Sequence, residues 1–590
     1  MKQLQLIYKD DEALSRELWK LRRWAESGLS SCLLIQVFTD QLDRRKIDHV
    51  CDVISEILPE ARVAGCSSNG NIVAGDYAGG ELALLCTLFE YPTTQVEVFQ
   101  YGITPDGLDE IAGDVLAEVE KRPWVKGIEI LATLRGISTT RLCERLSHAR
   151  PEIEIFGGGA ISADFQVNDA CVFSSAGGYA EKGAVIVLIG GEDIHIATSF
   201  VTGWKPLGSY LTVTAASGNR LVELNHRPAY EMYQKYLHIP NDENFFFNAR
   251  EFPLFYHDHG IDIMRAPTFC NPDGSLTMSS DVKVGIQCRL AYGDPWMILE
   301  TCKEESAKLI PFSPEGIFIF SCAGRRSFWG IEAVGEETVP YQAVAPTFGF
   351  YTSGEYLRTD GHLNQHNLTL VVAAMREGAP KPRPELEAAL VAQPRERRIS
   401  MVSRMATFIK VTTEELEAAN RKLNELAVTD GLTGLGNKNA YFERIRALDA
   451  RIASGGARFC VAIFDLNGLK EINDNYGHEC GDAALTDTAS LLKPIFGVNS
   501  LFRIGGDEFI AVLEGAELDG VTGQFEKLRE KIAEVNRHER PYVLPLAIAM
   551  GASAFDPRED KGYQAVFRRA DETMYRDKVA YYTTHDRRKR

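Results

Sequence analysis

Six apolar residues, Phe459-Cys460-Val461-Ala462-Ile463-Phe464, run straight into an acid, Asp465. Later, Leu501-Phe502-Arg503-Ile504 leads into Gly505-Gly506-Asp507-Glu508-Phe509, and strand-like residues resume at Ile510-Ala511-Val512-Leu513. No other feature restricts the fold as much. Short apolar runs of this kind predict buried strands. Paired glycines between two of them predict a tight hairpin, and they remove the side chains that would keep a ligand away from the backbone. An aspartate at a strand end projects from the rim of its sheet, and if the strands are neighbours Asp507 faces Asp465. Two carboxylates at close range call for a hard divalent cation, Mg²⁺ or Mn²⁺, completed by substrate phosphates.

Between these strands lies Asn473-Asp474-Asn475-Tyr476-Gly477-His478-Glu479-Cys480-Gly481-Asp482, leading into a helix. An amide at Asn473 and a carboxylate at Asp482 suit the edge of a guanine, whose N1–H and N2 amine donate hydrogen bonds. Lys470 and Lys578 supply cations for phosphates. Each element alone is weak, because Gly-Gly-Asp turns and aspartates at strand ends are common. Their order and spacing together carry the reading.

With those residues in place, residues 430–582 resemble a GGDEF-family diguanylate cyclase. The matching stretches are Asp430-Gly431-Leu432-Thr433-Gly434-Leu435-Gly436-Asn437, Asp465 to Lys470 and on to Asp482, Arg503 to Phe509, and Ala570-Asp571-Glu572-Thr573-Met574-Tyr575-Arg576-Asp577-Lys578. The resemblance implies a palm-like antiparallel sheet backed by helices, akin to adenylyl cyclases and ferredoxin-like folds. It implies that Asp465, the Leu466 carbonyl and Asp507 hold the metal, and that Asn473 and Asp482 read guanine. His478 falls in the accompanying nucleotide motif, while Lys470 and Lys578 match phosphate-binding positions. Asp507 is also the family's usual proton acceptor, in the Gly505-Gly506-Asp507-Glu508 catalytic turn, with Glu508 adding charge. The implied reaction joins two GTP molecules into cyclic di-GMP and two pyrophosphates across a homodimer. The alternative is a catalytically silent nucleotide receptor. Departures from the pattern are Phe496 and Asn499 in place of the inhibitory Arg-x-x-Asp, Tyr582 in place of an arginine, and Asn467 in place of an aspartate.

Before this segment, Val402, Met405, Ile409, Thr412, Leu416, Ala419, Leu423 and Leu426 follow heptad spacing. They predict a coiled-coil helix pairing with a second copy of the chain. The proline-rich stretch from Ala379 to Pro384 marks a linker. Residues 1 to about 375 alternate strands and helices in α/β fashion, with residues 283–302 and 316–334 richer in strand. Small-residue loops at Gly65-Cys66-Ser67-Ser68-Asn69-Gly70 and Gly157-Gly158-Gly159-Ala160 follow strand-like runs, and neither has a P-loop lysine. With Gly177-Gly178-Tyr179-Ala180, Ser321-Cys322-Ala323-Gly324-Arg325 and Gly349 to Glu355, they resemble the FIST sensory module. That resemblance implies a small-molecule ligand of unknown identity. The expected division is 1–225 FIST N-terminal, 226–375 FIST C-terminal, 376–398 linker, 399–429 signalling helix and 430–590 cyclase.

A net charge of −18 over 590 residues argues against nucleic acid as a partner; the basic end Arg587-Arg588-Lys589-Arg590 reads as a solvated tail. The amino terminus lacks an export signal and no apolar run reaches membrane length, so a cytoplasmic protein without a membrane partner is expected. The twelve cysteines contain no CxxC pair, and Cys66 and Cys322 read as small buried residues rather than redox sensors. His257 and His259 read as ordinary polar residues.

Overall fold

The computed structural model describes the chain except residues 27–31, 135, 166–168, 259, 382–400, 455–456, 516–519, 539–543 and 586–590. Pro382, Pro384 and the rest of the linker to residue 398, together with His259 and the basic tail, lie outside the described residues. Two compact units emerge, Met1–Val411 and Thr412–Arg590. Among the described residues, no helix is long and apolar enough to cross a membrane.

In the first unit the strand expected near residue 32 is Cys32–Thr39. It lies parallel to Arg62–Ser67 and connects to it through the helix Arg44–Ile57. The local sequence dictates this unit. Ile47, Val50 and Ile54 fall on one helical face and are buried, and Asp43 caps the helix by accepting from the Lys46 N–H. Two more parallel pairs follow the same logic: Val125–Thr133 beside Glu154–Ala160, and Gly316–Cys322 beside Thr347–Thr352.

The segments on either side of residue 225 share their sheets. Ile194–Val201 pairs with Leu370–Glu377, Asn71–Val73 with Thr347–Thr352, and Glu154–Ala160 with Glu355–Thr359. Phe38 stacks on Phe350 at 4.3 Å, and Phe318 lies 5.6 Å from Phe38, so the aromatic core also draws on both segments. Residues 204–293 add a largely separate antiparallel sheet. The stretch expected to be strand-rich after residue 283 divides instead into the strand Gln287–Gly293 and the helix Pro295–Lys308. The reason is local: Asp294 accepts from the N–H groups of Trp296 and Met297, and Pro295 sits in the first turn, where its missing N–H costs nothing. Similarly, after Gly316–Cys322 the chain enters the helix Ala323–Trp329.

The second unit is built on a four-stranded antiparallel sheet in the order Leu501–Gly505, Glu508–Glu514, Phe459–Leu466, Ile548–Ala554. Its central strand is buried on both faces: Cys460, Ala462 and Phe464 join one core, Val461 and Ile463 the other. Helices cover both faces. The helix Tyr563–His585 approaches so closely that a side chain at Gly551 would overlap the Met574 nitrogen and the Ala570 carbonyl. The helix Met401–Val428 precedes the sheet, and along its heptad seam Met405, Leu416 and Leu423 are 57%, 62% and 62% exposed. The side chains of Val402 and Leu426 are outside the described residues.

Candidate active site

The hairpin expected at Gly505-Gly506 is present, with Gly506 at φ +47° in its turn. Its partner differs from the simplest expectation. The Asp465 strand does not pair with Leu501–Gly505; it pairs with the outgoing strand Glu508–Glu514, so Asp465 opposes Glu508. Asp507 reaches the same place through its backbone, because the Leu466 N–H donates to the Asp507 carbonyl at 3.0 Å. The strand end and the turn are thus fastened together, with Leu466 between the two aspartates.

Asp465 is 4% exposed and Asp507 half-buried. Burial raises the pKa of Asp465, opposed by Lys578 and reinforced by the charges of Asp507 and Asp571. Burial also raises Glu508, as do Asp465, Asp507 and Asp571. Four acids therefore share one lip of the sheet. The cation facing them is Lys578, whose Nζ stands 2.8 Å from Asp465 Oδ2 and 2.7 Å from Oδ1. Burial pulls the Lys578 ammonium down, but the hydrogen bond to Asp465 and the neighbouring acids outweigh it and hold the pKa above the usual lysine value. Although Oδ1 is near this ammonium, it is buried and takes no hydrogen bond of acceptable direction. An under-satisfied carboxylate oxygen in an acidic lip fits a hard cation with oxygen ligands. Among the described residues, no group of three or more His, Cys, Asp or Glu side chains is arranged to hold a metal. The metal set expected from the sequence is smaller, two carboxylates and a carbonyl.

Asn473 lies on the short helix Leu469–Tyr476, and Gly477, at φ +86°, turns the chain into the helix His478–Phe496. Gly481 sits directly against the Asn473 amide; a Cβ there would come within 1.9 Å of Asn473 Oδ1. The missing side chain brings Asn473 against the second helix one residue before Asp482, which is exposed. Lys470 and His478 are exposed as well.

Sequence reasoning gave no role to Asp430 and Arg503, and both brace the turn. Arg503 donates to the Gly506 carbonyl through Nε (3.1 Å) and Nη2 (2.9 Å), and its Nη1 reaches Asp430 at 3.2 Å. Asp430 also accepts from the Thr433 N–H and hydroxyl. Asp577, one residue before Lys578, accepts from the Met550 N–H at 3.0 Å and ties the Lys578 helix to the edge strand. Each residue sits inside a quoted motif, but nothing local to Arg503 points to Asp430, 73 residues away. Of the departures, Phe496 is 1% exposed and packs 4.9 Å from Phe464, Asn499 is exposed, and Tyr582 is 45% exposed. Asn467 is buried, and its Oδ1 has no partner.

Comparison with known families assigns the domains of the chain. Residues 33–227 match the FIST N domain, residues 229–358 the FIST C domain, and residues 427–581 the diguanylate cyclase GGDEF domain. The chain carries FIST N, FIST C and GGDEF domains. Diguanylate cyclase DgcP of Pseudomonas aeruginosa is 34% identical over 180 residues, which are 30% of this chain and 26% of that protein. The bifunctional diguanylate cyclase/cyclic di-GMP phosphodiesterase MucR of the same organism is 30% identical over 180 residues, again 30% and 26%. The chain thus spans about a quarter of the length of these curated relatives. The solved structure of the coiled coil and GGDEF domain of DgcB from Caulobacter crescentus, in complex with c-di-GMP, is 24% identical. It covers 31% of this chain and 96% of its own, with a TM-score of 0.27.

The small-residue motifs of the FIST domains serve as internal joints. Ser67, Ser68 and Asn69 are buried; the Ser67 hydroxyl accepts from the Cys171 N–H, and the Asn69 amide donates to the carbonyls of Ser162 and Ala163. At Gly157 a side chain would strike the Ile130 carbonyl of the parallel neighbour. Arg325 is fully buried and paired with Glu337 at 2.7 Å, and Ser321 and Trp329 also donate to that carboxylate. Burial pushes the Cys66 and Cys322 thiols well above their ordinary value, so both stay protonated. His257 is exposed and 3.2 Å from Asp262.

Proposed function

We propose that this protein is a signal-regulated diguanylate cyclase, converting two GTP into cyclic di-GMP and two pyrophosphates as a homodimer. The acidic lip around Asp465 carries the reading: Asp465 is paired with Lys578, and the negative charges of Asp507, Glu508 and Asp571 bear on the same edge. Asp465, Asp507 and the Leu466 carbonyl would hold Mg²⁺ or Mn²⁺. When bound, the metal would neutralise phosphate charge and lower the pKa of the attacking hydroxyl. Asn473 and Asp482 would orient guanine. Lys470 and Lys578 would pair with phosphate oxygens, and His478 would flank the nucleotide. Gly505 and Gly506 leave backbone room for the triphosphate.

In the reaction, each 3′-hydroxyl oxygen bonds to the α-phosphorus of the other nucleotide. The bond to the bridging oxygen breaks, pyrophosphate leaves, and the hydroxyl proton passes to a base, with Asp507 nearest in role and Glu508 adding negative charge. Rigid attachment of Asp507 to the Leu466 strand, and of its turn to Arg503, keeps these groups in place without reorganisation. One domain presents one nucleotide, so two must meet. The seam of Met401–Val428, with Met405, Leu416 and Leu423 open to solvent, supports pairing through a palm-to-palm dimer held by a coiled coil. A FIST ligand would then act by changing how often the two halves meet. GTP as substrate favours a cytoplasmic setting.

The test is incubation of the purified chain with GTP and Mg²⁺ and separation of the products by chromatography, run in parallel on a fragment beginning near residue 399. Cyclic di-GMP from either sample supports the reading. Its absence from both, in protein that is folded and dimeric by light scattering, leaves the silent receptor as the better account.

A further inference from the structure

Helices commonly end on a glycine whose left-handed conformation recovers their last carbonyls. The helix Met401–Val428 has none there; Thr429 and Asp430 follow it. Its final carbonyls go instead to the start of the next helix, Lys438–Ala453. The Asn437 side-chain amide donates to the Ala427 carbonyl at 2.9 Å and the Thr429 carbonyl at 3.3 Å. Its backbone N–H donates to the Val428 carbonyl at 2.8 Å. Asn439 sends a second amide bond to Ala427, at 3.3 Å.

Asn437 has a separate task at its other end. Its Oδ1 caps Lys438–Ala453, accepting from the N–H groups of Asn439 at 2.9 Å and Ala440 at 3.2 Å. A cap needs only an oxygen, which aspartate or serine supplies as well. The amide donor is surplus to that need, and among the good capping residues asparagine alone carries one.

From Asn437 the contacts run on to the turn that carries Asp507. Gly436, its neighbour, donates to the Leu501 carbonyl at 3.1 Å and accepts from the Arg503 N–H at 2.8 Å, so it lies as a bridge beside the strand Leu501–Gly505. Arg503 in turn holds the Gly506 carbonyl through Nε and Nη2, and reaches back through Nη1 to Asp430, two residues past the helix. One route through Gly436 and another through Asp430 thus converge on the residue that braces the turn. Each link is a direct hydrogen bond. A shift of the helix end therefore displaces the turn or breaks a bond on the way.

We propose that Asn437 is a positioning residue, fastening the end of Met401–Val428 to the Asp507 turn so that movement of the helix resets the turn within one domain. This rests on the cyclase reading and adds a second lever to it: a signal would change the geometry of each half-site as well as how often two half-sites meet.

The test compares the full chain with Asn437→Asp and Asn437→Ser, which keep the capping oxygen and lose the amide donor. Hydrogen exchange at the Leu466 and Arg503 amides should quicken at least about fivefold in both variants. The Asn439 and Ala440 amides, still capped, and the unfolding midpoint should hold at their parental values. In turnover, kcat for GTP should fall by roughly threefold to thirtyfold with KM unchanged. Arg503→Lys, which interrupts the same chain, should cost less in combination with Asn437→Asp than the product of the two single losses, as for residues acting in series. Unchanged exchange at Leu466 and Arg503, or exchange that quickens equally at the cap, overturns the proposal. So does an untouched kcat beside faster exchange. Exchange is read without nucleotide: a parent chain that makes no cyclic di-GMP defeats the cyclase reading alone, and the joint is still decided.

Discussion

Arg325 and Glu337 meet at 2.7 Å in the FIST unit, and Lys578 and Asp465 meet at 2.7 Å in the GGDEF domain. The first pair is sealed, with neither side chain exposed, and every remaining hydrogen bond to Glu337 comes from a fixed neighbour, Ser321 or Trp329. The second pair is open on one side: Asp465 is 6% exposed by side chain, Lys578 30%, and three further acids crowd the same edge. Chemistry and distance are alike, and access to solvent sets the roles apart. A sealed pair cannot exchange partners and acts as a structural rivet. An open pair in surplus negative charge can give up its lysine to an incoming cation and phosphate.

The sharpest way to break this contrast is Asp507→Ala. It should cut cyclic di-GMP formation by a factor on the order of 100 or more, while circular dichroism and mass in solution stay unchanged; full turnover would remove the lip from the chemistry. Next comes the sealed pair. Glu337→Ala leaves the Arg325 charge buried and alone, and it should destabilise the first unit by about 3–5 kcal/mol, read by denaturant unfolding of the full chain. A loss below 1 kcal/mol would show that water or another group reaches Arg325.

The open pair should respond differently. Lys578→Met should preserve folding but reduce turnover by roughly tenfold to a hundredfold, by loss of the charge-assisted phosphate contact proposed for it. It should also shift the acid limb of the pH profile. Asp465 must be ionised to hold a cation, burial already raises its pKa, and Lys578 is what opposes that rise. Without the lysine, activity should be lost at a higher pH as acid is added; an unmoved limb would mean that Asp465 does not control it.

The smallest effect concerns an acid with no cation beside it among the described residues. Glu129 is buried, accepts from the Gln36 amide at 2.7 Å, and burial pushes its pKa up from 4.5 to about 8. Between those values the folded chain holds a proton that the unfolded chain has released, so this group's contribution favours folding less as pH rises through the window. Glu129→Gln should flatten that slope and raise the unfolding midpoint at pH 8 relative to the parent, with little change at pH 5. Equal midpoint shifts at both pH values would show that Glu129 does not titrate there.

Much of the GGDEF site was legible because its signals are local. A strand ending in Asp465 and a glycine hairpin before Asp507 are each visible within a few residues, whereas the seat that Gly481 leaves for Asn473 emerges only from the fold. Strand order was not visible. Nothing in the period of Leu501–Gly505 says that it lies at the sheet edge while Glu508–Glu514 takes the place beside Asp465. The brace from Arg503 to Asp430 and the position of Lys578 on Asp465 depend on contacts across 73 and 113 residues. In the FIST unit the alternation of strands and helices was readable, but the pairing of residues near 71, 156 and 197 with those near 349, 356 and 373 was not. Hydrophobic period specifies an element and its face, and leaves its partner open when several runs are equally apolar.

Those shared sheets also have a consequence for synthesis. Asn71, made early, finds its partner at Phe350, and Ile194 finds its own at Glu377. While the nascent chain is still on the ribosome, apolar edges from its first two hundred residues must wait, unpaired, for segments not yet translated. Such delays expose surfaces prone to aggregation, so the yield of soluble protein should depend on elongation rate and chaperone supply during that interval.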